Sequence, residues 1–457
     1  MKVREFGARW QVVDLYHAKV AEVVNTITTS KKTTFAYFDC TGNVEVSLKT
    51  AKSVVKSVKI RPLALGIKPI IEGNRITFKM KANQNISVEI NGDIFHNLQI
   101  FANKLESKKP LATDTNVIYY GPGLHRAGKI NMRSGQTLYI AGGAVVEGSI
   151  NIDHVKNVHI KGRGILTQIA TTPQGTAGKN VIQSNRNDAV AINYSANVDV
   201  DGIIILPHKY SVLIGQSKSV NISNVKSFST EGNADGIDIF SSTDVTLDHL
   251  YMRNSDDCIA IYGHRWNYYG NTKNVIVKNC ILWADVAHPI LIGTHGDSVH
   301  PDSLTNIKFS NIDILDQHEN QMDYQGCLSL NAGDSNLIKN ILFDNIRIEE
   351  IRKGQLFNLR VMYNKKYNTS AGNGIRNILF RDITYTGSQV PHSIITGYDD
   401  KRSINHVVFE NLRINGAYIT DEMKGKPKFY KTGDMANIFI GEHVEDIIFT
   451  RSSKGKL

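Results

Sequence analysis

No apolar run in the 457 residues approaches the roughly 18 needed to cross a bilayer, so no membrane span is expected. Cysteine is scarce. Cys40, Cys258, Cys280 and Cys327 show neither CxxC nor Cys/His metal spacing, which argues against a zinc site or a disulfide scaffold. The 53 basic residues outnumber the 43 acidic ones, for a formal charge of +10, yet the lysines are scattered through turns. With no concentrated basic arm and no nucleic-acid motif, nucleic acid is not an expected partner. The surplus suits a solvated surface or the steering of an acidic glycan. The first residues, MKVREFGARWQVVD, lack the apolar stretch of a secretory signal and leave the compartment undecided. No long helical period is evident either. What remains, at 41% hydrophobic and 21% charged residues, is an ordinary folded protein rich in β-structure.

A repeat organises most of it. A polar residue, often Asn, precedes apolar–x–apolar, and Asn or Asp follows. The pattern recurs in NVDVDGI, SVNISNV, DVTLDHL, NVIVKNC, NIKFSNI, NILFDNI, NILFRDI and HVVFENL. Its first apolar residues are Val198, Val220, Val245, Val275, Ile307, Ile341, Ile378 and Val407, at spacings of 22, 25, 30, 32, 34, 37 and 29. A second period-two strand follows in each unit: SVLIG, GIDIF, CIAIY, PILIG, CLSLN. Short strands with a variable insertion in each turn predict a right-handed parallel β-helix. A leucine-rich repeat would need LxxLxLxxN, and a propeller blade is too long for a 22-residue unit. Residues 1–110 read instead as antiparallel strands of a small β-sandwich domain, followed by a polar linker over 105–116 and a β-helix domain over 117–457. The stretch 134–150 is expected to open the solenoid, with at most a short capping helix over its first rung.

Laying the second strands over one another places chemistry in one column. Four positions before Ile239, Ile261 and Ile292 stand Asp235, Asp257 and His288. Adjacent parallel strands lie roughly 4.8 Å apart, so these side chains would be neighbours. Asp256 joins them only if a corner breaks the strand alternation. Crowded carboxylates raise one another's pKa, which supplies a protonated acid beside ionised groups able to activate water. That is the requirement for glycoside hydrolysis. The competing reading is that Asp and Asn fill turns here, as they do throughout a β-helix.

Asn233-Ala-Asp235-Gly-Ile-Asp238-Ile resembles the NTDGxD signature of glycoside hydrolase family 28, the polygalacturonases. Asp256-Asp257-Cys258-Ile-Ala-Ile resembles its DDC(V/I)A(V/I) segment, and His288 matches the histidine of its GHGxSIG segment. The resemblance implies an inverting hydrolase of a pectin-type polysaccharide. Asp256 would be the acid, Asp235 and Asp257 would hold the water, and His288 would orient the acid or touch the sugar. An acid–base separation of roughly 6.5–9.5 Å is then expected. Ala287 and Pro289 replace that segment's flanking glycines, and no basic pair matching the family's RIK motif occurs near 327–333. Arg360 is a loose substitute. The chain is similar also to family 49, dextranases and isopullulanases, which pair a β-sandwich with a β-helix; Trp283 resembles a tryptophan pattern of that family. A neutral α-glucan is therefore an alternative substrate.

After the Asp pair, His264, Arg265, Trp266 and Tyr268 form a loop suited to stacking on and hydrogen bonding to sugar. Asn233 and His295 join the expected substrate contacts. His288, His295 and His300 fall within 13 residues without zinc spacing, so no metal and no organic cofactor are expected. A calcium-dependent lyase and a non-catalytic glycan-binding solenoid are the remaining alternatives. A polysaccharide substrate points to an extracellular or periplasmic setting, and the oligomeric state is left open.

Overall fold

The computed structural model describes residues 1–5, 7–25, 27–51, 54–168 and 187–452. The chain divides into two compact units, Met1–Pro110 and Leu111–Leu457.

In the first unit, two five-stranded sheets enclose a core that includes Val44, Val46, Ile76 and Phe78 from one sheet and Ile60, Ile86, Val88 and Ile100 from the other. This is the expected sandwich, with one difference. Strand Asp93–Lys104 runs parallel to Ile27–Cys40, pairing Leu98 with Thr34 through Lys104 with Cys40. A parallel pair requires a crossover connection, and the intervening chain supplies one by visiting the opposite sheet.

The second unit is a continuous spiral of 30 strands whose successive turns stack in parallel register. It is an all-β parallel β-helix. The register joins Val198 to Val220, Val245, Val275, Ile307, Ile341, Ile378 and Val407 in one inward-facing column. The polar residues flanking that motif have a backbone reason. Asn274 and Asn279, Asn306 and Asn311, and Asn340 and Asn345 all sit at φ between 56° and 58°, the left-handed conformation that Asn tolerates best after Gly. Each pair thus bends the chain at both ends of an inward-facing apolar couple. Their amides also bond from rung to rung, Asn306 to Asn274 at 3.3 Å and Asn311 to Asn279 at 2.8 Å.

The solenoid starts at residue 117, ahead of the stretch 134–150. Strand Val117–Tyr120 already pairs in parallel with Thr137–Ile140, one rung before the expected opening. No capping helix stands there: among the described residues the sole α-helix is the single turn Thr432–Met435, far along the chain. Through the middle rungs each turn carries three strands on three ladders, and the long strand that begins at Ser303 spans the first two by itself. In the rung that matters most the three strands are Thr243–Asp248, Tyr251–Asn254 and Ile259–Tyr262. The third ladder stacks Ile237–Phe240, Ile259–Tyr262, Ile290–Gly293, Leu328–Ala332 and Phe357–Val361.

Inside the C-terminal half, Phe309, Phe343, Phe380, Phe409 and Phe449 stack face to face at centroid separations of 4.8–5.0 Å, within the favourable range for aromatic pairs. Phe380 also meets the edge of Phe357 at 5.0 Å. Phe380→Ala should cost about 3–5 kcal/mol of unfolding free energy in a denaturant titration, as large cavities in packed cores do. A cost near zero would show that the stack does not carry the core.

Candidate active site

The residues of interest lie at the corner between the second and third ladders, just before each third-ladder strand. Gly236 N donates to Asp257 O at 2.8 Å, and Cys258 N donates to His288 O at 2.8 Å. The backbone bonds between rungs therefore hold Asp235, Asp257 and His288 in the column that the strand alignment predicts. Cys258 and Cys327 occupy matching positions two rungs apart, with Pro289 between, and both thiols are buried in the core.

Asp256 does break the alternation. Its Oδ2 accepts the Asn233 N–H at 2.9 Å and its Oδ1 accepts the Asp257 N–H at 3.2 Å. The corner thereby turns Asp256 to the same side as its neighbours, and carboxylate oxygens of Asp235, Asp256 and Asp257 all lie within 4.8 Å of one another. That is tighter than the expected span, because a single rung rise is all that separates the two corners. The same oxygens could in principle share a cation, although calcium usually gathers roughly six to eight oxygen ligands.

The three carboxyl groups are not equivalent. Burial, with the negative charge of Asp257 added, pushes Asp256 up to about 7. Asp256 is half-buried and so remains reachable. Asp235 is 5% exposed; burial and the charges of Asp238, Asp256 and Asp257 raise it well above the usual range, with Arg265 opposing. Asp257 is gripped. Its Oδ1 accepts the His288 backbone N–H at 3.1 Å and meets His288 Nδ1 at 2.6 Å, while its Oδ2 accepts the Tyr262 hydroxyl at 3.3 Å.

His288 corrects an expectation. It is fully buried, and its Nε2 donates to the Tyr324 carbonyl, so it cannot touch a sugar. It bonds Asp257 and not the expected acid Asp256. Burial disfavours its charge, but the charge and hydrogen bond of Asp257, with Glu319 and the Tyr324 carbonyl, outweigh this and raise it to about 9. A cationic His288 therefore faces Asp257 at neutral pH.

Two more expected contacts fall away. Tyr268 is fully buried, with its hydroxyl 2.6 Å from Asn193 Oδ1 and its ring beneath Phe240, so it supports the loop from inside. Arg360 stands three rungs past Tyr262, roughly 14 Å by strand spacing, and its guanidinium bonds the Asp323 carbonyl at 3.1 Å. Where the RIK motif would fall, Ser329 and Asn331 face outward as neutral, buried side chains.

The rest surround the carboxylates. The Arg265 guanidinium lies 4.4 Å over the Trp266 ring and 5.8 Å from that of Tyr262. His264 Nδ1 meets the Tyr268 carbonyl at 2.6 Å, and the ring stacks on Tyr269 at 4.3 Å. His295 packs 5.1 Å from Tyr262; burial and the Arg265 charge hold it neutral. Asn233 is exposed at the rim. Sequence reasoning did not find the bond of Tyr262 to Asp257, nor Glu319 and Tyr324. Tyr262 directly ends the DDCIAIY strand and was within reach of the strand alignment. The other two lie in an insertion with no repeat signal.

The sequence profile described as Glycosyl hydrolases family 28 matches residues 123–432. The chain belongs to glycoside hydrolase family 28. Its relatives include proteins of Neosartorya fischeri named probable endopolygalacturonase D, 28% identical over 187 residues, and probable endo-xylogalacturonan hydrolase A, 25% identical over 229 residues. The first match covers 40% of this family 28 chain and 36% of the relative; the second covers 48% and 52%. The fold is shared with Dex49A from Penicillium minioluteum, at TM-score 0.66 and 15% identity over 98% of this chain and 93% of that one. It is shared also with a family 28 exopolygalacturonase of Yersinia enterocolitica, at TM-score 0.56 and 12% identity over 82% and 86%.

The shift of Asp256 gives a stability test. Below the ordinary carboxyl pKa of 3.8 the side chain is protonated whether the chain is folded or not. As pH rises towards 7 the unfolded chain releases this proton and the folded one keeps it, so folding loses stability across that window. Asp256→Asn removes the loss. The melting temperature of the variant should gain on wild type from about pH 4 to 7 and level off above. A difference independent of pH would mean that Asp256 titrates normally.

Proposed function

We propose that the chain hydrolyses the glycosidic bonds of a pectin-type, galacturonate-containing polysaccharide with inversion at the anomeric carbon. One observation carries the reading: three carboxyl groups from two successive corners lie within 4.8 Å of one another, and burial raises the most accessible of them to about 7. Asp256 is the general acid that protonates the glycosidic oxygen. Asp235 and Asp257 hold the attacking water between successive rungs, and one of them takes its proton. The cationic His288 and the Tyr262 hydroxyl are positioning groups. By occupying both oxygens of Asp257 they hold its carboxyl group in one orientation, which suits it to position a water. Arg265 and Trp266, with His264, His295 and Asn233, form the surroundings of the sugar. The polygalacturonase and xylogalacturonan hydrolase names among the relatives support an acidic pectic substrate. A polymer too large to enter a cell fits an extracellular or periplasmic place of action.

The short separation favours one competing reading. Carboxylates roughly 5–5.5 Å apart usually belong to retaining enzymes, in which one attacks the sugar directly. Proton NMR of the first product formed separates the two: an inverted anomer is expected, and a retained one would make Asp235 or Asp257 the nucleophile. Asp256→Asn should lower kcat on polygalacturonate by about 10²–10⁴, the usual contribution of a general acid. Wild-type activity should decline above pH 7 as Asp256 loses its proton. Undiminished turnover in the variant would sink the assignment, and an unsaturated product absorbing in the ultraviolet would mark a lyase.

A further inference from the structure

We infer that the substrate groove is closed on one side of the carboxylates, so that this enzyme removes short units from a chain end instead of cutting within the polymer. The inference rests on the proposed hydrolysis of an acidic polysaccharide and adds its mode of attack.

In this reading the substrate lies above the outer face of the third ladder, between the two sets of loops that flank it. One wall is made by corners that enter this ladder, the other by loops that leave it. Asp235, Asp256 and Asp257 stand on the first wall; Arg265 and Trp266 stand on the second. A polymer cut internally must lie along this face through the level of the carboxylates and beyond it in both directions. Towards the C-terminal rungs it cannot, because the two walls are bolted together.

The bolt is built by insertion 318–327 on the first wall and loops 294–302 and 362–373 on the second. Gln321 Oε1 accepts Lys366 Nζ at 2.5 Å and the Tyr367 hydroxyl at 2.6 Å. The Tyr324 ring stacks on that of Tyr367 at 4.7 Å, and its hydroxyl is 3.0 Å from Thr294 Oγ1. Asn368 in turn bonds the Thr294 carbonyl, tying the two second-wall loops together. Tyr324 therefore crosses the groove from wall to wall. The outward strand residues beneath it, Leu291, Ser329 and Asn331, are buried, as are Phe240, Ala260 and Tyr262 at the level of the carboxylates, so the closure rests on the wall-to-wall contacts. Tyr324 packs with Leu291 and Met362, and Tyr367 adjoins them, at one end of an apolar cluster that continues beneath the site through Tyr262, Ala260 and Phe240, so the crossing is packed from below.

The plug also stands close to the chemistry. His288 is one rung beyond Asp257, and the Tyr324 ring lies 4.7 Å from the His288 ring, edge to face. Only about one or two rung spacings, roughly 5–10 Å, remain between the carboxylates and the plug. That length accepts a mono- or disaccharide. It also leaves Arg360 on the far side, which explains why its guanidinium is spent on Asp323 and not on the site.

The test compares viscosity with reducing ends released from polygalacturonate by the full chain, alongside the sizes of the earliest products. The expected result is steady release of a mono- or disaccharide while the solution keeps most of its viscosity. Early collapse of viscosity with mixed longer oligomers would overturn the inference and leave the hydrolase reading intact. Absence of any cleavage of polygalacturonate, rhamnogalacturonan or a neutral glucan would instead remove the hydrolase reading, and the inference with it. The double variant Gln321→Ala, Tyr367→Ala, checked for an unchanged melting temperature, should release longer products and lose more viscosity per bond cut. Identical product sizes in a folded double variant would show that the plug does not set the mode of attack.

Discussion

The rise between stacked strands governs the carboxylate cluster of this chain as much as its fold. Backbone N–H groups at Gly236 and Cys258 bond the rung ahead of them, and the side chains beside them inherit that spacing. Two carboxylates on consecutive corners have no freedom to separate. Bringing three such groups within 4.8 Å is costly in isolation, and the surroundings offset the cost unevenly. Asp257 receives a cationic partner and a hydroxyl. Asp256 receives two backbone N–H groups yet still keeps its proton, and Asp235 is left buried beside Asp238. The unequal environments, not the residue type, set the three aspartates apart.

Much of this was legible in the chain. The apolar couples bounded by Asn record two left-handed bends per rung, and a helix could not use that grammar. The register of the third ladder followed from aligning CIAIY with PILIG and GIDIF, which placed Asp235, Asp257 and His288 in one column. Less legible was direction. His288 could be set beside Asp257 but not assigned to it, since the choice between carboxylate, sugar and solvent depends on the Tyr324 carbonyl, brought in by an insertion. Tyr268 read as a sugar platform because aromatic residues in a loop give no sign of which face they turn inward. Arg360 does stand one rung after CLSLN, as the alignment gives; what the strand pattern does not reveal is that its guanidinium turns to the Asp323 carbonyl.

Insertions are the common factor in those misses. A corner can lengthen by ten residues without shifting the strands on either side, because register is set by the backbone bonds of the rung and not by the path between strands. The segments at 263–271, 294–302, 318–327 and 362–373 all exploit this. The carboxylate geometry and the shape of the groove are thus specified by separate parts of the sequence, the first by short repeated strands and the second by loops that repeat nothing.

The buried thiols carry a further consequence. Cys258, Cys280 and Cys327 lie inside the solenoid and Cys40 inside the sandwich, unbonded to one another, and burial holds Cys280 up at about 12 and Cys258 higher still. Thiols that neither ionise nor meet solvent are poor targets for oxidants and for disulfide exchange. No covalent staple joins one rung to the next, so the solenoid owes its persistence to packing and hydrogen bonds alone. No rung of the solenoid is held by a bond between its cysteines.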